Sequence, residues 1–511
     1  MSTAAREPLN MTNGSSVALE AIPDLSWSDF ESALLAAVAQ QRRVVALFAA
    51  EGDHPEALNL YAVLADDASN QLAVARTPVE DDRFPSLAVR CPQVHLFERE
   101  IAEQFGVLPV GHPWLKPVRF RKSWRPGRDA WGRKPDEPIE PGVMDFYRVE
   151  GAQVHEVAVG PVHAGVIEPG HFRFQCHGEE VFHLEISLGY QHRGVEEALK
   201  GGPTKRSIHY AETLAGDTTI AHATAYCQVL EALAHCRQSA RAQTLRGIAL
   251  ELERLANHVG DLGALAGDVA FLPTASFCGR IRGDILNMTA LLCGNRFGRG
   301  MIRPGGVGFD VDGERVTELL SRLGRIEKDA GVAIKLLWDT PSVMARFEDT
   351  GQLPRQVAAE LGIVGPAARA SGLARDARHD QPAGIYLFAQ VPVSTYDAGD
   401  VLGRAYVRFL EVQQSLAFVR EQLGALPPGE RLVELGSLAP RRLAIALNEG
   451  WRGEVVHLAL TDAAGRFSRY KVGDPSFHNW AGLAYVLRGQ PISDFPLCNK
   501  SFNLSYCGHD L

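Results

Sequence analysis

Leu245, Ile248, Leu252, Leu255, Val259 and Leu262 recur at alternating steps of three and four residues. That spacing puts all of them on one face of an α-helix, and such a face has to be buried against another element. On a neighbouring face, Glu251, Arg254 and His258 stand within i, i+3 and i+4 reach of one another. They form either a solvated or an interhelical ion cluster. From Gly160 onward the pattern is largely helical, including a helix expected over about 217–236 that carries His222 and Cys227. This region is β-rich where the chain enters and leaves it. "EVVHLALTDAAGRFSRYKV" (454–472) alternates like a hairpin around Ala464-Gly465.

Ahead of it, residues 27–112 read as a small α/β unit. "SDFESALLAAVAQ" is a helix with Ser28 or Asp29 as its cap, and "RVVALFAAE", "ALNLYAVLAD" and "QLAVARTPV" are successive strands. The fold class expected is therefore α+β. A small α/β domain (27–112) precedes a mainly α-helical domain (151–511), joined by a basic, Pro-rich linker (113–150). That linker lies on a partner or on the next domain, or is a solvated loop. Residues 1–26 lack a cationic stretch leading into an apolar core and are expected to be a disordered lead rather than a secretory signal.

At 511 residues the chain is long enough for at least one large core. A net charge of −9 disfavours a general nucleic-acid binder, which needs a basic surface. No apolar run reaches the ~18–20 residues that span a bilayer. The eight cysteines are scattered and no C-x-x-C occurs, which argues against a zinc ribbon, a ferredoxin-type cluster or a thioredoxin motif in this polypeptide. Scattered thiols point to a reducing, cytoplasmic compartment. Neither a complete G-x-G-x-x-G turn nor a G-x-x-x-x-G-K-[ST] loop is present, so direct binding of NAD or ATP has little support.

Polar, Gly- and Pro-rich stretches interrupt the apolar helices: "GPVHAGVIEPGHFRF" (160–174), "GYQHRGVEEAL" (189–199), "RPGGVGFD" (303–310) and "GPAARASGLARDARHDQP" (365–382). Such turns line internal sites. In this order, with "LELERLANHVGDLG" and "NRFGRGMIRPGGV", they resemble the large catalytic subunit shared by respiratory complex I and the membrane-bound group 4 NiFe hydrogenases. Formate hydrogenlyase and hydrogenase-4 belong to the latter group. "HLFEREIAEQFGVLPVGHPWLKPVRF" (95–120) resembles the small α/β subunit of complex I, so the chain is similar to a fused C-D subunit.

The resemblance implies a Cys-Gly-x-Cys-x-x-x-His motif and an Asp-Pro-Cys-x-x-Cys motif wherever nickel and iron are held by soft thiolates. The first aligns with "AGDTTIAH" (215–222), which keeps Gly216 and His222 but has Ala215 and Thr218 at the cysteine positions. The second aligns with "SFNLSYCG" (501–508), which has Ser505 and Gly508 there, with Cys507 one residue out of register. The tyrosine and histidine that hold a quinone headgroup in complex I fall near Gly216 and Ile167, so that pair is missing too.

The family likeness then singles out Glu196 as a glutamate beside the active site. It is read either as a proton relay with a raised pKa or as a salt-bridge partner of His192 or Arg193. Arg369 and Asp376 lie in a loop that faces the cavity in relatives, where Arg369 either polarises a bound carbonyl or pairs with Asp376. His163 and His222 survive from family motifs, and His222 is equally readable as a satisfied core histidine. Asp217, Thr218 and Ser505 are the polar groups at the former metal locus, placed to hydrogen-bond a ligand or simply to fill space.

No metal is assigned to this chain. The implied redox cofactor is a 4Fe-4S cluster in an iron–sulfur small subunit, with a quinone as a candidate ligand. The implied partners are that subunit and membrane antiporter-like and proton-channel subunits, and the implied location is the inner face of the cell membrane. The expected function is that of a subunit of a respiratory oxidoreductase complex, NADH-quinone oxidoreductase-like or hydrogenase-related. The alternative is a non-catalytic scaffold or coupling subunit of the same kind of complex.

Overall fold

The computed structural model describes residues 7–52, 54, 56–163 and 167–511. Strands β1 (Leu9–Met11) and β2 (Ser15–Ala18) precede helix α1 (Trp27–Ala39), strands β3 (Arg43–Glu51), β4 (Leu58–Asp66) and β5 (Gln71–Pro78), and helix α2 (His95–Phe105). The sheet is antiparallel in the order β1-β5-β4-β3. One face packs through Leu47, Leu60 and Ala62 against Phe30 and Leu34 of α1 and Phe97 and Ile101 of α2. The other face is buried as well, so "VVALFAA" reads as continuously apolar rather than alternating. The cap of α1 is neither Ser28 nor Asp29. Ser26 lies just outside the helix, and its hydroxyl accepts from Asp29 N–H at 3.2 Å.

Residues 113–150 hold no helix or strand. Part of this stretch is fixed on the next domain: Arg119 is buried and donates from Nε and Nη2 to the His509 carbonyl at 3.0 and 2.9 Å. Val143, further along, is 68% exposed. A three-stranded antiparallel sheet follows, β6 (Val154–Val159), β7 (His171–His177) and β8 (Glu180–Ser187), with β7 in the middle.

The helical body comprises α3 (Val195–Leu199), α4 (Thr219–Leu233), α5 (Ala240–Asp268), α6 (Leu272–Cys293), α7 (Gly313–Trp338), α8 (Gly365–Ala370) and α9 (Val401–Gly424). Helix α5 starts at Ser239, whose hydroxyl accepts from Ala242 N–H. All six stripe residues, Leu245 to Leu262, are fully buried. Burying each large aliphatic side chain contributes about 1.5–3 kcal/mol. The polar faces of α5 are buried too, including Glu251, Arg254 and His258, so these three form an interhelical cluster, not a solvated one.

The chain returns to β structure with β9 (Arg442–Gly450), β10 (Gly453–Thr461) and β11 (Phe467–Gly473), then α10 (Pro475–Val486) and α11 (Tyr506–Asp510). The hairpin between β10 and β11 turns at Gly465, whose φ of +75° suits glycine.

The expected disordered lead is corrected over residues 7–26. β2 extends the C-terminal sheet, pairing Ser15 with Ile445 and Ala18 with Arg442, while β1 closes the N-terminal sheet on β5. The two sheets pack face to face through Val45, Phe48 and Val63 on one side and Leu443, Ile445 and Leu458 on the other. The lead is held because its backbone groups complete two ladders and its apolar side chains join that shared core. No helix among the described residues is long and apolar enough to cross a membrane.

Between β1 and β2, Asn13 donates Nδ2 to the Gln381 and Leu447 carbonyls at 2.6 and 2.9 Å and accepts from Leu447 N–H at 2.8 Å. Asn13→Ala leaves those backbone groups without partners and is expected to destabilise the protein by about 1–3 kcal/mol. Thermal denaturation of the variant against the parent measures this, and an unchanged midpoint would show that the lead is not anchored there.

Candidate functional site

The loop before α4 and the segment leading into α11 face each other, and an arginine joins them. Arg452, in the turn between β9 and β10, donates from Nη1 and Nη2 to the two carboxylate oxygens of Asp217 at 2.6 and 2.9 Å. Its Nη1 also reaches Thr218 Oγ1 at 3.2 Å, and its Nε donates to the Asn503 carbonyl at 2.5 Å. The guanidinium lies 3.9 Å from the ring centre of buried Trp451. Burial alone would raise the Asp217 carboxyl, but the Arg452 charge outweighs it and holds the group below its usual range.

The donor set here does not suit a thiolate-held metal pair. Ser505 spends its hydroxyl as the cap of α11, accepting from Gly508 N–H at 2.9 Å. A Cβ built on Gly508 would lie 2.6 Å from Asp474 Cγ and Oδ2, so a cysteine at that position has no room. Burial pushes the Cys507 thiol up to about 11, which leaves it protonated at neutral pH. No group of three or more His, Cys, Asp or Glu side chains among the described residues is arranged to hold a metal ion.

Behind this clasp lies a hydrogen-bonded row of buried groups. His222 Nε2 is 3.1 Å from Asp474 Oδ2, its Nδ1 is 3.0 Å from His457 Nε2, and His457 Nδ1 is 2.8 Å from Tyr470 Oη. All four side chains are essentially inaccessible. Burial, then the His222 ring, holds His457 well below the ordinary histidine range, so it is neutral. Burial raises Tyr470 well above the ordinary phenol range, so it keeps its proton. Burial would raise Asp474, but the hydrogen bond from His222 and the nearby charge of Arg452 hold it below the usual carboxylate range, so it is ionised and His222 Nε2–H donates to it.

Glu196, on α3, is 4% exposed and differs from both expectations. It does not pair with His192 or Arg193. One oxygen accepts from Lys471 Nζ at 3.1 Å and Val472 N–H at 3.0 Å, the other from Arg469 Nη1 at 2.9 Å and Gln104 Nε2 at 3.0 Å. Burial would raise it, but Lys471, Arg469 and Arg119 together depress it far below the usual carboxylate range. The expected raised pKa is therefore corrected: this carboxylate is firmly ionised.

Arg369, on α8, donates from Nε to Glu411 at 2.9 Å and from Nη1 to Glu449 at 2.7 Å, with Asp376 at 3.6 Å. Asp376 binds Arg378 through two hydrogen bonds from its guanidinium, at 2.9 and 2.6 Å. Arg378 reaches on to Glu251 at 3.1 Å, and Arg254 and His258 meet Glu411 at 3.4 and 2.8 Å. Arg369 is thus a structural hub whose Nε and Nη1 donors are taken up inside the protein, while Nη2 lies 2.8 Å from Glu411 without a hydrogen bond among the described residues. His163 stands apart from the other candidates, with Nε2 held by the Gly170 carbonyl at 2.8 Å and its ring against Phe172.

Arg452, Asp474, His457 and Tyr470 were not among the residues expected from sequence. The only local signals were "GDPS" (473–476), an Asp cap followed by Pro at the first helical position, and a histidine inside the apolar strand "EVVHLALT".

The Arg369 cluster holds four carboxyl groups, Glu251, Asp376, Glu411 and Glu449, against three guanidiniums, Arg254, Arg369 and Arg378. The shortfall falls on Glu449, which burial raises to about 7 despite Arg369. A carboxyl raised on folding binds its proton more tightly in the native state, so its contribution to stability is present below the unfolded value near 4.5 and is lost as pH rises toward 7. Glu449→Gln is expected to flatten the decline in melting temperature between about pH 5 and 7.5. Parallel decline in parent and variant would place the spare proton elsewhere.

Comparison with known proteins agrees with this architecture. Residues 27–134 match the family model described as the respiratory-chain NADH dehydrogenase 30 Kd subunit, and residues 268–441 match that of the 49 Kd subunit. The chain is 29% identical to formate hydrogenlyase subunit 5 of Escherichia coli over 83% of its own length and 76% of that protein's. It is 30% identical to the carbon monoxide-induced hydrogenase of Rhodospirillum rubrum, covering 68% of this chain and 97% of the relative. It is also 29% identical to NADH-quinone oxidoreductase subunit 4 of Thermus thermophilus, over 67% of this chain and 90% of the relative. The chain belongs to the family that unites the 49 kDa subunit of respiratory NADH dehydrogenase with the large subunits of related hydrogenases, here carrying the 30 kDa-type domain in the same polypeptide.

Proposed function

We propose that this chain is the large subunit of a membrane-associated oxidoreductase complex, that it works without a nickel–iron centre, and that its own interior moves protons. Electrons would travel through a 4Fe-4S cluster in an adjoining iron–sulfur small subunit toward a quinone-like acceptor. Antiporter-like and proton-channel subunits would carry the coupled ion, and they would hold the chain at the inner face of the membrane. Support comes from the names and coverage of the relatives, which are components of NADH-quinone oxidoreductases and hydrogenases.

The observation that carries the metal-free reading is the Arg452 clasp. A fixed guanidinium–carboxylate pair ties together the two segments that metal ligation joins elsewhere in the family, and Gly508 leaves no space for a thiol. The row from Tyr470 to Asp474 supplies the proton chemistry. A proton taken up by Tyr470 Oη releases the hydroxyl proton to His457 Nδ1. His457 passes its Nε2 proton to His222 Nδ1, and His222 passes its own Nε2 proton to Asp474. One proton enters, one arrives, and each ring ends with as many protons as it began with.

A second reading, as a non-catalytic coupling component, draws on the internal pairing of Arg369 and Glu196. Both oxygens of Glu196 and the Nε and Nη1 donors of Arg369 are consumed by partners inside the chain and leave little for a ligand.

Metal analysis of the purified complex is expected to find iron without stoichiometric nickel, and equimolar nickel would overturn the metal-free reading. Assayed against a panel of quinone analogues and other acceptors, His222→Gln is expected to lower turnover by about a hundredfold, in the range of a lost general acid–base group. Turnover unchanged in His222→Gln would remove the proton row from the mechanism. A complex that assembles normally but reduces no acceptor would favour the coupling reading.

A further inference from the structure

A cavity of about 790 Å³ lies where α2, the 113–150 stretch, β8 and α10 meet, away from the Arg452 clasp. Its size is that of a small-molecule site, and it occupies the seam between two domains, where such sites concentrate. Trp114, Tyr147, Phe182, Trp480 and Tyr485 provide aromatic walls. Flat rings are the surfaces such walls accommodate best, by stacking or edge contact.

The polar groups at this cavity are unevenly satisfied. Two carboxylates line it: Glu185 accepts from Lys116 Nζ at 2.6 Å and Tyr147 N–H at 2.8 Å, and Glu360, exposed at the edge, accepts from Gln356 Nε2 at 2.7 Å. Other polar groups are not engaged. Trp480 is 4% exposed and Ser187 3% exposed, yet Trp480 Nε1, Ser187 Oγ and His183 Nε2 have no hydrogen-bond partner among the described residues. A buried indole N–H can only donate, so an acceptor placed against it supplies a hydrogen bond that the fold leaves unmade.

Charge points the same way. Arg99 donates Nε to the Lys116 carbonyl and one Nη to the Pro117 carbonyl, at 2.7 and 2.8 Å, and makes no ion pair among the described residues. Burial lowers it only to about 10, so it stays cationic at neutral pH. Arg488 at the rim likewise makes no ion pair among the described residues and rests over the Tyr485 ring. The histidines add no charge: burial takes His95 down to about 3 and lowers His183 as well. Two unpaired guanidiniums, two or three idle donors and a ring-lined wall make a set that is short of one thing, an acceptor-bearing anion.

We propose that this inter-domain cavity is a binding site for a flat aromatic organic anion, its ring between the aromatic walls and its acidic group toward Arg99, Ser187 and Trp480. Its walls include Trp480 of α10 and His509 of α11, the helices capped by Asp474 and Ser505.

The probe is 1-anilinonaphthalene-8-sulfonate, titrated by fluorescence into the folded 511-residue chain. A single saturable site is expected. Trp480→Phe, which keeps the ring and removes the N–H, and Ser187→Ala should each weaken binding about two- to tenfold. Arg99→Gln should weaken it about ten- to a hundredfold while leaving the uncharged analogue N-phenyl-1-naphthylamine unaffected. Gln228 lines the other large cavity of the molecule, and Gln228→Ala should change nothing. No saturable binding, or identical titrations in parent, Trp480→Phe and Ser187→Ala, would overturn the assignment, as would a loss confined to Gln228→Ala. Trp480→Phe and Ser187→Ala are small changes that decide the matter even if Arg99→Gln does not fold.

Discussion

A guanidinium or carboxylate taken out of water has to find its opposite inside the protein, and much of this molecule is arranged around that requirement. Helix α5 presents charged groups toward other elements instead of toward solvent, and Arg246, Arg254 and His258 meet carboxylates carried by other helices. Arg254 reaches Glu411 of α9, and Arg246 forms two bonds to Glu231 of α4 at 3.0 and 2.6 Å. Replacing one member leaves the other charged, dry and alone, which costs about 3–5 kcal/mol. The helices are therefore held in register by charge as well as by the apolar stripe. Apolar contacts tolerate some sliding, whereas paired hydrogen bonds at these distances do not.

The same requirement joins the loop before α4 to the segment leading into α11. Here Arg452 serves as the bridge, neutralised by Asp217 and extended to the Asn503 carbonyl. Such a bridge is geometrically specific and has no accessible second oxidation state. In the proposed reading, this moves electron chemistry to a neighbour and leaves proton positions as what this interior controls.

Much of the framework was legible because it is written locally. The three-and-four spacing of α5, the strands of the N-terminal sheet and the hairpin around Gly465 each depend on side-chain period or turn chemistry within a dozen residues. Glu196 was legible as an interior glutamate but not in its charge state, since Arg469 lies 273 residues away and Lys471 275. Periodicity carries no information about pairs so distant. The lead was misread because β1 and β2 have only three and four residues, too few to show alternation, and gain order solely from ladders they complete. The cap of α1 slipped by two residues because Ser26, Ser28 and Asp29 are all competent capping types, and only the backbone geometry chooses among them.

The strand made by residues 15–18 has one more consequence, which concerns time. Asn13 and Leu447, which bond to each other across the two sheets, are separated by 434 positions. At a synthesis rate of about 5–20 residues per second, roughly 20–90 seconds pass between their emergence from the ribosome. Throughout that interval the first segment has an exposed apolar edge and no sheet to join, and the N-terminal domain presents the face that will later meet the second sheet. The protein's last strands thus complete its first domain, so a nascent chain stalled before residue 442 lacks the surface that covers this face.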